Sequence, residues 1–279
     1  MLKISKSQWI LISASILLIV GILSLNIKAP NTSKAGEKEK GKETATVLDL
    51  NVLKSRALQS VPGDAKAKIQ SLENKVEDSK GTAKTEATLE LADAYYAYKQ
   101  FSVSGFYFLQ EAENSNNAEL FVKAGDAFRD AYRNNNDSTT TPLLVEKART
   151  AYERAMELDP KNLDAKTGVG TCYVDASENP MQGIQLLLEV VKEQPENVNA
   201  NMNLGLFSMR SGQFDKAIGR FETVVKNKPS AESYALLAEA HEQTGDKKSA
   251  IAALNKAKEY VIDPQILQGI DAYIKTLEK

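Results

Sequence analysis

Between residues 85 and 264 the apolar positions of this chain fall on helical spacing, and one arrangement of small and large residues recurs five times. Each copy places a small residue in a first helix, at Ala92, Gly125, Gly170, Gly205 and Ala238, and a second about one helix later, at Ser104, Ala148, Gly183, Ala217 and Ala250. A large residue follows the second small one, at Phe108, Tyr152, Leu187, Phe221 and Leu254. The first small residues lie 33, 45, 35 and 33 positions apart, which is a period of about 34 with one insertion. Small side chains let two antiparallel helices approach to about 8–10 Å. Tyr152, Phe221 or Leu254 is expected to fill the gap toward the next pair. No single hairpin buries such a face alone, so neighbouring hairpins must stack.

The repeats are expected over 85–117, 118–162, 163–197, 198–230 and 231–264. Pro160, Pro195 and Pro229 stand just beyond second helices, where a helix cannot continue. Asn179-Pro180 reads as a cap followed by a first-turn proline. Residues 46–84 are expected to form an N-terminal helical cap, with helices over 47–58 and 65–78 broken at Val61 to Asp64. Ile69, Leu72 and Val76 make a one-sided stripe facing the first repeat. Residues 265–279 are expected to close the other end, Asp263-Pro264 starting a helix with Ile266, Ile270, Tyr273, Ile274 and Leu277 on one face. The insertion, from Arg133 to about Leu144, lengthens one turn by 11 residues and is expected to protrude as a tolerated surface loop.

The copy at 198–230 carries Leu204-Gly205, Gly212, Phe214, Ala217, Phe221 and Pro229, and in these residues it resembles the tetratricopeptide repeat (TPR). The resemblance implies an all-α, right-handed superhelical solenoid of about five helix-turn-helix repeats. It also implies that first helices line a concave groove taking up peptide segments of other proteins. The groove positions carry Glu86, Glu90, Asp93, Tyr96, Glu119, Asp126, Asp130, Asp164, Asp175, Glu232, Glu239 and Glu242 against only Lys123, Arg129 and Arg210. A negative groove follows, suited to positively charged or neutral extended segments. The repeats that clamp a partner's terminal carboxylate use groove Lys, Arg and Asn; only Lys123 and Asn203 match here, so that role is rejected. Met202, Leu206 and Met209, at i, i+4 and i+7, form an apolar groove stripe beside the packing pair Leu204-Gly205. The stripe either accepts varied partner side chains or packs against the adjacent helix.

Composition adds two things. From residue 46 on, 28 Lys and Arg face 34 Asp and Glu, a net charge of −6 that argues against nucleic acid as partner. Before it, Trp9 to Ile27 is nearly all apolar, and nineteen helical residues span about 28 Å, close to the roughly 30 Å of a bilayer core. Residues 9–27 are therefore read as a transmembrane anchor after a short tail, 1–8, and before a flexible linker, 28–45. A cleavable leader would be shorter and would end on a better cut site than Ile27-Lys28-Ala29. The expectation is a single-pass inner-membrane protein of the bacterial envelope, its repeats extracytoplasmic (periplasmic).

Catalytic parts are lacking. One His, one Cys, no phosphate loop and no metal-ligand cluster leave no catalytic, cofactor or metal site to assign. His241 takes the place of a packed ring, and Cys172 that of a small buried hydrophobe. The function expected is a non-catalytic scaffold, adaptor or chaperone-like factor binding other proteins. The alternative is a structural subunit that self-associates into a homo-oligomer or completes a larger membrane complex.

Overall fold

The computed structural model describes residues 48–135, 137–176 and 179–279. Among them the regular structure is α-helical throughout, in thirteen helices with no strand. In chain order they are α1 Leu50–Ser60, α2 Gly63–Asp78, α3 Thr82–Ala97, α4 Phe101–Ser115, α5 Ala118–Arg133, α6 Thr141–Leu158 and α7 Leu163–Ala176. Then come α8 Pro180–Glu193, α9 Val198–Arg210, α10 Phe214–Asn227, α11 Ala231–Gln243, α12 Lys247–Lys258 and α13 Pro264–Leu277. The chain divides within α8 into two compact units, one running to Leu186 and one from Leu187 to the end.

One expectation is overturned. No described helix is long and apolar enough to cross a membrane. The longest, α6, has 18 residues but carries Glu146, Lys147, Arg149, Glu153, Arg154 and Glu157 along its length. The segment 9–27, on which the single-pass inner-membrane placement and the membrane as partner rested, lies outside the described residues, as do 1–8 and 28–45. The inner-membrane placement and the membrane as partner are withdrawn.

In the N-terminal unit, α1 begins at Asp49, whose carboxylate accepts from the backbone N–H of Asn51 and Val52. Val61-Pro62 ends it, and α2 starts directly after the proline. Ile69 is fully buried, with Leu72 and Val76 half-buried beside it. Asn116, in the left-handed region at φ 48°, closes α4, and Asn117 caps α5 through Glu119 and Leu120. Hairpins α3/α4, α5/α6 and α7 with the start of α8 follow.

Their contacts turn on glycine meeting ring. A Cβ on Gly125 would stand 2.7 Å from the Tyr152 ring, and one on Gly168 would stand 2.4 Å from the same ring. Tyr152 therefore fills its own hairpin and reaches the next one together. Gly105 likewise faces Phe128, at 2.8 Å, and a Cβ on Gly183 would stand 2.4 Å from the Gly170 carbonyl. Gly105 and Gly168 are approach points that the repeat pattern alone did not mark. The insertion is also shorter than its sequence suggests: Arg133 ends α5, and Thr141 to Leu144 open α6, with Leu144 buried. Asn135 organises the turn between, its amide donating to the Asp137 carbonyl and the Thr140 and Thr141 hydroxyls.

In the C-terminal unit, hairpins α9/α10 and α11/α12 turn at Gly212 and Gly245, with φ of 72° and 82°, a region that glycine enters at no steric cost. Ser230 and Ser233 form a reciprocal capping box at the start of α11. Phe221 is fully buried against Gly205 of its own hairpin. It thus packs within its own repeat and shares a core with the next one. Ala217, Ala250, Leu254 and Ala238 join it in one core, and α13 lays Ile270, Ile274 and Leu277 on that core.

Candidate protein-binding face

The residues expected to line a groove separate into the two units. In the N-terminal unit, α3 contributes Asp93 and Tyr96, both exposed, and α5 contributes Asp126 and Asp130, both half-buried. The carboxylates of Asp126 and Asp130 are committed to the protein itself. Arg129 donates through Nη1 to Asp126 at 2.6 Å and to the Tyr152 hydroxyl at 3.0 Å, and its Nε and Nη2 reach Asp130 at 3.3 Å. The Tyr152 hydroxyl donates to Asp126 at 2.7 Å, and the Tyr96 hydroxyl donates to Asp130. Burial works against the charge of Arg129, but Tyr152, Asp126 and Asp130 around it outweigh that and hold its pKa above the ordinary range. On α7, Asp175 accepts from the Tyr132 hydroxyl at 2.8 Å and from Arg133 at 3.0 Å.

This polar network is what sequence reasoning missed. Tyr152 reads as packing because its ring sits at a packing position, yet a buried phenol still needs a partner for its hydroxyl. Arg129 between Asp126 and Asp130 on one helix was the signal. With Glu90 bound to Lys75 at 2.6 Å, half of the eight acids expected on this unit's face are committed within the protein, leaving Glu86, Asp93, Glu119 and Asp164. Lys123 lies over the Phe108 ring at 5.2 Å.

The C-terminal unit differs. Met202, Leu206 and Met209 are half-buried on α9 and rest on the core built around Phe221 and Ala238, while Arg210 at the helix end is exposed. Asn203 is buried, its amide donating to the Asn199 carbonyl at 2.8 Å. On α11, Glu242 accepts from the Tyr273 hydroxyl of α13. Glu239, one turn earlier and half-buried, has no hydrogen bond or ion pair with any described residue. Burial, and then repulsion from Glu242, push its carboxyl above the usual range. His241 is half-buried, with Nδ1 3.8 Å from Asp246.

Nothing in this arrangement assembles a nucleophile with a base. Burial pushes the Cys172 thiol up to about 12. Among the described residues no cluster of His, Cys, Asp and Glu could hold a metal ion.

Comparison with known proteins agrees with the hairpins. The tetratricopeptide repeat family model matches residues 208–265, from the end of α9 into α13. Tetratricopeptide repeat protein 1 of Schizosaccharomyces pombe (strain 972 / ATCC 24843) is 27% identical over 121 residues, 42% of this chain. The chain spans only 12% of that relative's length. Among solved structures, a tetratricopeptide repeat protein from Parabacteroides merdae superposes with a TM-score of 0.54 at 15% identity, over 82% of this chain and 86% of its own. A thermophilic TPR protein of Thermus thermophilus superposes at 0.52 and 18% identity, over 69% of this chain and 98% of its own. The shared feature is the fold, all-α hairpins of the tetratricopeptide type.

Proposed function

We propose that this chain is a non-catalytic protein-binding scaffold that takes up extended segments of partner proteins along the first helices of its C-terminal hairpins. The tetratricopeptide fold agrees with such a role, and one observation carries it. Helix α9 has two apolar sides: Gly205 is used up against Phe221 and Leu204 beside it is buried, whereas Met202, Leu206 and Met209 lie on the core and are only half-buried. Flexible thioethers around a Leu suit a surface that accommodates differing side chains.

Panning a display library of extended peptides on the full chain tests this. Enriched peptides are expected to lose about tenfold or more in affinity against a Met202→Ser, Met209→Ser double variant, a size typical of losing apolar anchors. Helical circular dichroism should be retained in that variant. Failure to enrich any sequence, or enrichment indifferent to the double substitution, removes the proposal.

A further inference from the structure

A half-buried carboxylate without a partner costs free energy, because burial takes away its water and nothing returns the lost interaction. The other half-buried acids of the first helices avoid that cost. Asp126 and Asp130 hold Arg129, Asp175 holds Tyr132 and Arg133, and Glu242 holds the Tyr273 hydroxyl. Glu239 alone among them has no such partner; no described Lys or Arg pairs with it, Arg210 included. Its neighbour one turn on, Glu242, is a second negative charge that the Tyr273 hydroxyl fixes in place, so the two carboxylates repel each other in the free protein. The same two charges favour any cation brought between them from outside. Met202, Leu206 and Met209 rest on the core to which α11 contributes Leu237, Ala238 and Ala240. Glu239 and Glu242 stand 33 positions after Leu206 and Met209, the interval that also separates Gly205 from Ala238, so the apolar stripe and the carboxylate lacking its cation hold matching repeat positions on the successive first helices α9 and α11.

We infer that the occupant of this face is a partner segment that presents a Lys or Arg side chain to Glu239 and Glu242 and lays flanking apolar side chains on Met202, Leu206 and Met209. The inference rests on the protein-binding role proposed above and names its chemistry. The cation supplies what Glu239 lacks, and the apolar flanks cover the half-buried stripe of α9. Acidic segments meet two like charges and are rejected, which gives the site selectivity as well as attraction.

The probes are positional-scanning pools of extended peptides, random except for a central Lys, Arg, Gln or Glu, with binding to the full chain read by fluorescence anisotropy. Lys- and Arg-centred pools are expected to bind about tenfold tighter than the Gln-centred pool, within the range of close charge pairs at interfaces. Glu239→Gln should remove most of that preference, and Glu239→Lys should turn it toward the Glu-centred pool, a reversal that a merely structural role would not produce. Met202→Ser with Met209→Ser should weaken all four pools alike. Equal binding of the Lys and Gln pools, or a preference unmoved by Glu239→Gln, overturns the cationic assignment while leaving peptide binding as such intact. Binding of no pool overturns this inference and the protein-binding role together.

Discussion

The Phe221 ring lies so close to Gly205 that a Cβ on the glycine would stand 2.5 Å from Cε1. The ring is fully buried and cannot swing into solvent to make room. Gly205→Ala should therefore lower stability by about 1–3 kcal/mol, the usual cost of overpacking, and Gly205→Leu by more. Gly219, on the neighbouring α10, provides the control, since a Cβ there meets nothing within 4 Å. Gly219→Ala should be neutral or stabilise by up to about 1 kcal/mol through helix propensity. Thermal unfolding of the pair reads both; equal melting temperatures would show that α9 and α10 do not cross at Gly205.

Tyr152 joins two kinds of bonding in one side chain. Its ring separates Gly125 from Gly168, and its hydroxyl stands between Asp126 and Arg129. Tyr152→Phe keeps the ring and deletes the hydroxyl, so the expected loss is about 1–2 kcal/mol, that of a hydrogen bond to a charged group. Tyr152→Ala removes the ring as well and should cost roughly 3–5 kcal/mol. Urea denaturation separates the two, and a Tyr152→Phe variant as stable as the parent would mean that the polar network contributes nothing.

The contrast between ring and hydroxyl also marks what the sequence carries. The small residues at Gly125, Gly205 and Ala238 and the rings at Tyr152 and Phe221 recur in the same order, with a period of about 34 apart from the one insertion, because each hairpin solves the same packing problem, so the pattern identifies the fold directly. Gly105 and Gly168 were not legible, because each makes room for a ring of another hairpin and sits outside the repeating position. The acidic groove positions were legible as residues but not as free charges. Asp126 and Asp130 count as two negative charges in a sequence, and only the placement of Arg129, Tyr96 and Tyr152 shows them to be partnered. Glu239 is the reverse: one acid among many in the sequence, set apart because it is half-buried and has no partner among the described residues.

Cys172 is fully buried, and its thiol is pushed up to about 12 from an ordinary 9.0. Burial is the main cause, with Asp175 adding to it. In the folded protein at pH 8 the thiol should react with Ellman's reagent far more slowly than in denaturant, because the thiolate is the reacting form. The unfolded chain gives up this proton first, so the folded state binds more protons between the two values and stability falls as pH rises through that window. Cys172→Ala should flatten this alkaline part of the profile at a small packing cost. Rapid labelling of the native protein would contradict the placement of Cys172.

Glu239 gives the corresponding case on the acid side. Burial and then Glu242 raise its carboxyl above the ordinary 4.5, so as pH increases the unfolded chain ionises first while the folded protein still holds its proton. Folded molecules therefore bind more protons just above pH 4.5, and Glu239 makes stability fall with rising pH until its folded form has also ionised. Beyond that point the penalty is constant. Glu239→Gln abolishes the charge while keeping the shape, so the variant should melt a few degrees above the parent at pH 7, as about 1 kcal/mol or less would produce in a domain of this size. At pH 3.5, where the carboxyl is protonated in both states, the two proteins should melt together. A Glu239→Gln variant less stable than the parent at neutral pH would mean that the carboxylate has a partner in the free protein, and the face would then hold no charge waiting for a cation.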